Sequence, residues 1–343
     1  MTPRAGGIAR RPGLPGIELF SSCPASSDVP QDVYLRRVID VARWSEAWGC
    51  TGILVYADNS LVDPWLVAHT IIRHTRALCP LVAVQPIYMH PYAAAKIVST
   101  IGYLYGRRVY LNMVAGGFKN DLAALNDSTP HDQRYARVVE YALIVKRLLS
   151  SPAPVTYLGE FYTIDKLKLA PPLRTDLLPG IFVSGSSDAG MQAARAIGAT
   201  AIKYPKPPDQ EGSGSDASIA FGVRLGIIAR DDEEEAWKIA HERFPDDRRG
   251  QLTRQLALKV SDSAWHKTLG ETQATGKGPY WLGPFNSYKT MCPYLVGSYD
   301  DVVAAVSRYV QSGFRTYILD TPPDPTELGT VAGVFSRVAA QGA

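Results

Sequence analysis

Short apolar runs alternate with longer amphipathic segments along most of the chain. A short apolar run between turn residues is typical of a buried strand, and apolar positions spaced three and four apart are typical of a helix. The pattern predicts buried strands at residues 16–20, 52–56, 81–84, 109–114, 181–183, 199–204, 221–229 and 316–319. It predicts helices at 33–48, 64–76, 91–104, 232–243 and 299–312, others that begin at Asp132 and near Asp188, and a last helix at the C-terminus.

This repeated order predicts an α/β fold, a (β/α)8 TIM barrel that spans residues 1–343 as a single domain. Residues 155–169 are typical of a hairpin excursion, whereas residues 244–293 interrupt the alternation with glycine, proline and polar residues and offer no clear strand. We therefore expect 244–293 to be an insertion at the barrel rim, before the last βα unit, that acts as a lid. An open doubly wound sheet is the alternative, but no GxGxxG turn follows the first strand.

The turn after the fifth predicted strand carries the most informative local motif. Residues 184–188 read Ser-Gly-Ser-Ser-Asp and stand between an apolar run and the start of a helix. Free backbone N–H groups and the helix dipole favour an anion at such a turn, and Gly185 permits close approach of the backbone. A simple cap on the helix by Ser187 or Asp188 accounts for the same residues. The motif thus indicates either a phosphate site or a helix cap.

Composition narrows the class of protein. The 46% hydrophobic content supports a sizeable core, and the net charge of +3 without a long basic run favours neither nucleic acid nor an anionic membrane as a partner. The four cysteines show neither CxxC spacing nor histidine partners, so we expect no disulfide framework and no metal site. The N-terminal residues lack the apolar core of a signal peptide, and no apolar run is long enough to cross a membrane, which predicts a cytoplasmic protein.

Chemistry in such a barrel is expected at the carboxyl ends of the strands. The residues there include no Ser-His-Asp order, no HxH pair and no paired carboxylates on adjacent strand ends. Side chains of this kind are poorly suited to hydrolysis on their own. The sequence therefore favours an organic cofactor as the reactive group.

Several segments in register resemble the bacterial luciferase-like superfamily of flavin-dependent monooxygenases, and within it the alkanesulfonate monooxygenase branch. The resemblance covers nearly all of the chain after residue 30 and keeps the family's order and spacing. It rests on DPWLVA at 63–68, LNMVAGG at 111–117, DQRY at 132–135, SGSSD at 184–188, FGVRL at 221–225 and LVGS at 295–298.

The resemblance implies a site for reduced FMN at the mouth of the barrel. The phosphate is expected at Gly185, Ser186, Ser187 and Tyr135, where hydroxyls and helix N–H groups can bind a dianion without an arginine. The isoalloxazine ring is expected near Tyr56, Asn112, Val114 and Tyr204. His90 matches a His-Pro pair of the luciferase branch, which implies a catalytic role, although a helix-start residue with a satisfied ring is an equal alternative.

Departures from the sulfonate enzymes bear on the substrate. Leu61 stands where they carry a cysteine and Gly226 where they carry a histidine, and their mobile-loop arginine aligns near Tyr288 and Lys289. We expect Leu61, Gly226 and Tyr288 to contact a substrate that is larger and less charged than a sulfonate, such as a biosynthetic intermediate. Arg224 is retained and is expected to be catalytic, holding an anionic group, unless it only pairs with a carboxylate at the rim.

These features predict a two-component monooxygenase. A separate flavin reductase would deliver reduced FMN, and O2 would be the co-substrate for oxygenation of a small organic molecule. A deazaflavin-dependent hydride-transfer enzyme of the same superfamily is one alternative, and a flavin-binding protein without turnover is another. The resemblance also implies a homodimer or a higher homo-oligomer.

Overall fold

The computed structural model of the protein describes residues 16–211, 218–245 and 278–341. The strands in this part of the chain are β1 (Glu18–Ser22), β2 (Gly52–Val55), β3 (Cys79–Val84), β4 (Tyr110–Val114), β5 (Val155–Leu158), β6 (Thr163–Leu167), β7 (Gly180–Ser184), β8 (Thr200–Lys203), β9 (Phe221–Arg230), β10 (Tyr280–Trp281), β11 (Tyr294–Ser298) and β12 (Phe314–Leu319). The helices are α1 (Gln31–Ala47), α2 (Pro64–His74), α3 (Pro91–Tyr105), α4 (Lys119–Ala124), α5 (His131–Ser150), α6 (Asp188–Ile197), α7 (Glu233–Arg243), α8 (Gly283–Asn286), α9 (Tyr299–Gln311) and α10 (Pro325–Gln341).

Eight parallel strands close into a barrel in the order β1, β2, β3, β4, β7, β8, β9, β12, after which β12 pairs with β1. They are the strands that the apolar runs predicted, so the predicted (β/α)8 barrel is confirmed. The excursion predicted at 155–169 is an antiparallel pair of β5 and β6. The assignment of a single domain with a lid at 244–293 stays a prediction, since residues 246–277 lie outside the described ones.

Helix ends follow the local chemistry of the sequence. Asp63 caps α2 by accepting from the backbone N–H groups of its first turn, directly before Pro64 at the first helical position. Gly106, with a φ of 59°, ends α3 in the left-handed conformation that glycine adopts without strain. These signals explain why the predicted helix bounds agree closely with the observed ones.

The interior of the barrel is filled by side chains from its own strands. Phe20 packs edge-on against Tyr110 and Phe182, with ring centroids 5.1 and 5.2 Å apart. Leu54, Ile202 and Ile318 belong to the same buried cluster. The core is therefore closed below, and any ligand site has to lie above it, at the carboxyl ends of the strands.

β9 is long enough to pair with the barrel strands β8 and β12 in its lower half and with a further strand, β11, in its upper half. Phe221–Leu225 pairs with β12 inside the barrel, and Gly226–Arg230 pairs with β11 above it. The expectation that 244–293 contains no strand is wrong at its C-terminal end, because β10 pairs with β11. The short helix α4 was also not predicted. Asp121 and Leu122 of α4 lie at the mouth of the barrel.

Candidate active site

A cavity of about 1130 Å³ opens at the carboxyl ends of the barrel strands. Its floor includes Leu54, Ile202 and Ile318, the upper members of the barrel core. Eleven of the residues proposed from the sequence line it together: Tyr56, Leu61, Asn112, Val114, Tyr135, Gly185, Ser186, Ser187, Tyr204, Arg224 and Tyr288. The closed barrel brings them together because every strand ends on the same face.

The loop between β7 and α6 forms one wall, and Tyr135 of α5 lies directly over it. A Cβ atom on Gly185 would lie 2.2 Å from the Tyr135 hydroxyl oxygen, so only glycine admits the tyrosine at this distance. Ser187 caps α6, and its Oγ accepts from the Gly190 N–H at 3.2 Å. The cap predicted as the plain alternative is therefore present, but a serine hydroxyl that accepts one bond can still donate another.

Tyr135 and Ser187 are coupled through their hydroxyls. Burial raises the pKa of Tyr135, and its side-chain hydrogen bond with Ser187 lowers it by less. The phenol therefore stays protonated at neutral pH. Its hydroxyl donates to the Ser184 carbonyl at 3.4 Å, a long hydrogen bond that a ligand oxygen can replace. His131, at the start of α5, packs its ring 5.2 Å from that of Tyr135 and also lines the cavity.

Arg224 of β9 lies in another part of the cavity wall, among phenols and a carboxylate. Its Nη2 donates to the Tyr56 hydroxyl at 2.7 Å, and its side chain also hydrogen-bonds Tyr204. Its nearest carboxylate oxygen, Oδ1 of Asp320, lies 4.0 Å from Nη2. Burial opposes the charge of Arg224, but its polar neighbours outweigh burial and keep its pKa above the usual value. The sequence left open that Arg224 pairs with a carboxylate at the rim. Asp320 is such a carboxylate, at the longest distance that counts as an ion pair.

Gly226 lies beside this cluster and makes space for an aromatic ring. A Cβ atom on Gly226 would lie 2.2 Å from Cζ of Tyr294, whose hydroxyl donates to Oδ2 of Asp320 at 2.7 Å. Among the described residues, those that line the cavity include Tyr294 but not Gly226. At this place in the wall, the ring of Tyr294 faces the cavity, whereas Gly226, predicted to contact the substrate, does not.

A pair of carboxylates lines the cavity near Tyr288. Burial, and then the neighbouring Asp58, raises the pKa of Asp121 above its usual value. Burial, followed by Asp58 and Asp121, also raises the pKa of Tyr288. Tyr288 has a φ of 55°, in the region that non-glycine residues seldom adopt, and such conformations cluster at functional sites.

His90 lies apart from the cavity. It caps α3, with its Nδ1 accepting from the Tyr92 N–H at 3.2 Å, and its ring packs edge-on against Tyr162. The cavity lining in the described part of the chain does not contain it. The geometry agrees with the helix-start alternative, and a catalytic role for His90 stays a prediction without support from its position.

Asp320 follows the last barrel strand, so the expectation of chemistry at the strand ends already included it. Two other residues of the site were not selected from the sequence, and one of them, Tyr294, belongs to a strand that the pattern did not reveal. Asp121 is on α4, which was also not predicted.

Residues 16–211, 218–245 and 278–341 contain no helix long and apolar enough to cross a membrane, and no cluster of metal-ligating side chains.

Comparison with known proteins gives a consistent result. The family model of the luciferase-like monooxygenases matches residues 17–316. The chain is 33% identical over 298 residues to the 4-(gamma-L-glutamylamino)butanoyl-[BtrI acyl-carrier protein] monooxygenase BtrO of Niallia circulans. The aligned region covers 83% of this chain and 86% of the relative.

Solved structures share the fold at low identity. A riboflavin lyase, RcaE, with modified FMN and riboflavin superposes with a TM-score of 0.75 at 14% identity, over 95% of this chain and 92% of that one. A long-chain alkane monooxygenase, LadA, gives a TM-score of 0.73 at 14% identity, over 95% and 92% of the two chains. An F420-dependent secondary alcohol dehydrogenase gives 0.62 at 15% identity, over 94% and 99%.

Proposed function

The chain belongs to the luciferase-like monooxygenase family, and we propose that it uses reduced FMN and O2 to oxygenate a small organic molecule. Membership agrees with the resemblance seen in the sequence and with the enzyme class expected from it, a flavin-dependent monooxygenase. The identity of the flavin, the delivery of reduced FMN by a separate reductase and the substrate are parts of the proposal.

The observation that carries the proposal is the cradle formed by Tyr135 and the β7–α6 loop. Because residue 185 has no Cβ, the Tyr135 hydroxyl can lie close to the loop backbone, 2.2 Å from the position that a Cβ would take. The hydroxyl of Ser187 and the first N–H groups of α6 belong to the same loop and helix start. Hydroxyl donors and a helix N-terminus together suit a phosphate dianion. Ser186 and Ser187 are proposed to bind the FMN phosphate with Tyr135.

The size of the cavity supports two ligands rather than one. Its volume of about 1130 Å³ exceeds the roughly 300–1,000 Å³ of a site for one small molecule. With the phosphate at the β7–α6 loop, the flavin ring is proposed to extend toward Tyr56, Asn112, Val114 and Tyr204. Reduced FMN, when bound, would supply the electrons that activate O2, so that one oxygen atom enters the substrate and the other leaves as water.

The protein itself is proposed to exclude water and to supply positive charge. The aliphatic floor keeps solvent from the reacting groups, where electrostatic interactions are then strong. Arg224 is charged and lines the cavity, and it is proposed to stabilise negative charge on the reacting oxygen or on the substrate. Burial raises the pKa of Tyr56 to about 12, so its phenol stays neutral and accepts from Arg224 without neutralising it.

The substrate is proposed to be a biosynthetic intermediate rather than an alkanesulfonate. Leu61 lines the cavity where the sulfonate enzymes carry a cysteine, and Tyr288 lines it near their mobile-loop arginine. The ring of Tyr294 lies beside Gly226, where those enzymes carry a histidine. The relative BtrO is named for a substrate attached to an acyl-carrier protein. An acyl group on such a carrier is therefore the first substrate class to test, with the acyl chain entering the cavity.

The proposal is tested by an anaerobic titration of the protein with reduced FMN, followed by oxygenation under 18O2. We expect a dissociation constant in the micromolar range or below, roughly −8 kcal/mol or better. With the carrier-bound 4-(gamma-L-glutamylamino)butanoyl thioester or a related one, one 18O atom is expected in the product. Binding of reduced deazaflavin but not of reduced FMN would favour the hydride-transfer alternative, and flavin binding without oxygenation of any acyl thioester would favour a protein without turnover.

The remaining expectations stay predictions. Cytoplasmic location and assembly into a homodimer or higher oligomer rest on composition and on the family resemblance. A flavin reductase partner is tested by adding a reductase with NADH and oxidised FMN in place of chemically reduced FMN. Product formation under these conditions would support the two-component scheme.

A further inference from the structure

Tyr294 occupies a position that exists only because residue 226 is glycine. The two residues are register partners in the pairing of β11 with β9. A Cβ on Gly226 would lie 2.2 to 2.4 Å from three carbons of the Tyr294 ring. A glycine inside a strand costs about 0.5–1 kcal/mol relative to alanine, and here it admits an aromatic ring against the backbone.

The ring position fixes one oxygen of Asp320. The Tyr294 hydroxyl donates to Oδ2 at 2.7 Å, while Oδ1 lies 4.0 Å from Nη2 of Arg224. A carboxylate next to a guanidinium ordinarily forms charge-assisted hydrogen bonds at about 2.7–2.9 Å. Arg224 instead donates to the neutral phenol of Tyr56 at 2.7 Å. The carboxylate is therefore held at the outer limit of an ion pair with the arginine, without a hydrogen bond to it.

The other groups around this pair do not supply the same restraint. Tyr204 hydrogen-bonds the guanidinium, and the Cys292 thiol lies beside it with a pKa that burial raises well above the usual value. Burial and Asp320 also raise the pKa of the Tyr294 phenol, which keeps it a donor at neutral pH. Only the Tyr294 hydroxyl donates to Oδ2 among the hydrogen bonds of the described residues.

We infer that Tyr294 is a positioning residue that restrains Asp320 and so keeps the charge of Arg224 available to an anion in the cavity. The inference rests on the proposed role of Arg224 and adds the residue that sets its state. Without the hydroxyl, the Asp320 carboxylate can turn toward Arg224 and neutralise it. Gly226 contributes by leaving the space in which the Tyr294 ring lies.

The test uses the flavin-free full-length protein and nitrate, a small oxyanion, in isothermal titration calorimetry. Arg224→Ala defines the part of nitrate binding that belongs to Arg224. Tyr294→Phe, which keeps the ring, is expected to weaken that part about tenfold, the free energy of one hydrogen bond to a charged group. Adding Asp320→Asn to Tyr294→Phe removes the competing charge and is expected to restore the parent affinity.

Crystal structures of the parent protein and the Tyr294→Phe variant provide the second readout. We expect the Asp320 carboxylate to move from 4.0 Å to hydrogen-bond distance of Arg224 in the variant. An unchanged separation in the variant, equal nitrate affinity of parent and Tyr294→Phe, failure of Asp320→Asn to restore binding, or equal nitrate affinity of parent and Arg224→Ala would each overturn the inference.

Because these measurements contain no flavin, they are independent of the proposed monooxygenase reaction. The predicted nitrate pattern in a protein that does not bind reduced FMN would reject the proposed function and leave the role of Tyr294 intact. In the loaded enzyme, Tyr294→Phe is expected to release more hydrogen peroxide per flavin oxidised, and Asp320→Asn is expected to reverse this.

Discussion

Replacing Gly185 with alanine is expected to break the proposed phosphate site while leaving the barrel folded. The new Cβ would lie 2.2 Å from the Tyr135 hydroxyl oxygen and 3.0 Å from its Cζ. The hydroxyl would therefore have to withdraw by roughly 1 Å, which exceeds the tolerance of a hydrogen bond. Loss of one hydrogen bond to a charged acceptor weakens binding by about 1.5–3 kcal/mol, or about 10- to 150-fold.

The assay is an anaerobic titration with reduced FMN, combined with thermal unfolding of the flavin-free protein. Gly333→Ala is the matched control, because its Cβ would meet nothing within 4 Å on α10. We expect Gly333→Ala to bind FMN normally. Overpacking by Gly185→Ala should destabilise the fold by about 1–3 kcal/mol.

A double variant separates packing from binding. Tyr135→Phe removes the oxygen that the new Cβ meets, so Gly185→Ala with Tyr135→Phe should recover most of the lost stability. It should not recover FMN affinity, because the donor is gone. Parent-like affinity of Gly185→Ala for reduced FMN would refute the assignment of the phosphate to this cradle.

Three further changes test other parts of the structure. Ser187→Ala should weaken reduced FMN binding by about 1.5–3 kcal/mol; unchanged affinity with a lowered unfolding temperature would leave Ser187 as a helix cap alone. Arg224→Ala should keep FMN binding near normal but release hydrogen peroxide without product; normal turnover would remove its catalytic role. Burial alone would raise the pKa of Asp127, but hydrogen bonds from Arg137 and Thr129 outweigh it and lower the pKa. The stabilisation is thus fully present above about pH 4 and is lost as the pH falls through the folded pKa. Asp127→Asn should lower stability at pH 7 by about 3 kcal/mol and flatten the acid dependence of the unfolding temperature; an acid dependence equal to that of the parent would contradict this reasoning.

Much of the fold could be read from local patterns. Each barrel strand is a short apolar run because parallel strands covered by helices are buried on both faces. Helix ends carried their own chemistry, as at Asp63 before α2 and Gly106 after α3. Short elements escaped prediction: α4 spans 6 residues and β10 spans 2, which is too few for a periodic pattern to stand out.

The phosphate cradle was partly readable in the same way. Ser186 and Ser187 lie at a strand-to-helix turn, and backbone geometry at such a turn follows from nearby residues. The sequence alone did not reveal that Tyr135 lies over Gly185, which the family resemblance only implied. His90 shows the opposite case, since the His-Pro pair suggested chemistry where the structure places a helix cap.

The sequence by itself determined the order of strands and helices, the closed barrel that they form, and therefore the face on which the site lies. Only the tertiary structure decided which groups surround Arg224, because they come from distant segments: Tyr56 after β2 and Asp320 after β12. Tyr294, across from Gly226, in turn donates to Asp320. Strands and helices depend on neighbours a few residues apart. The charge available in a cavity depends on hydrogen bonds between residues that become neighbours only when the barrel closes.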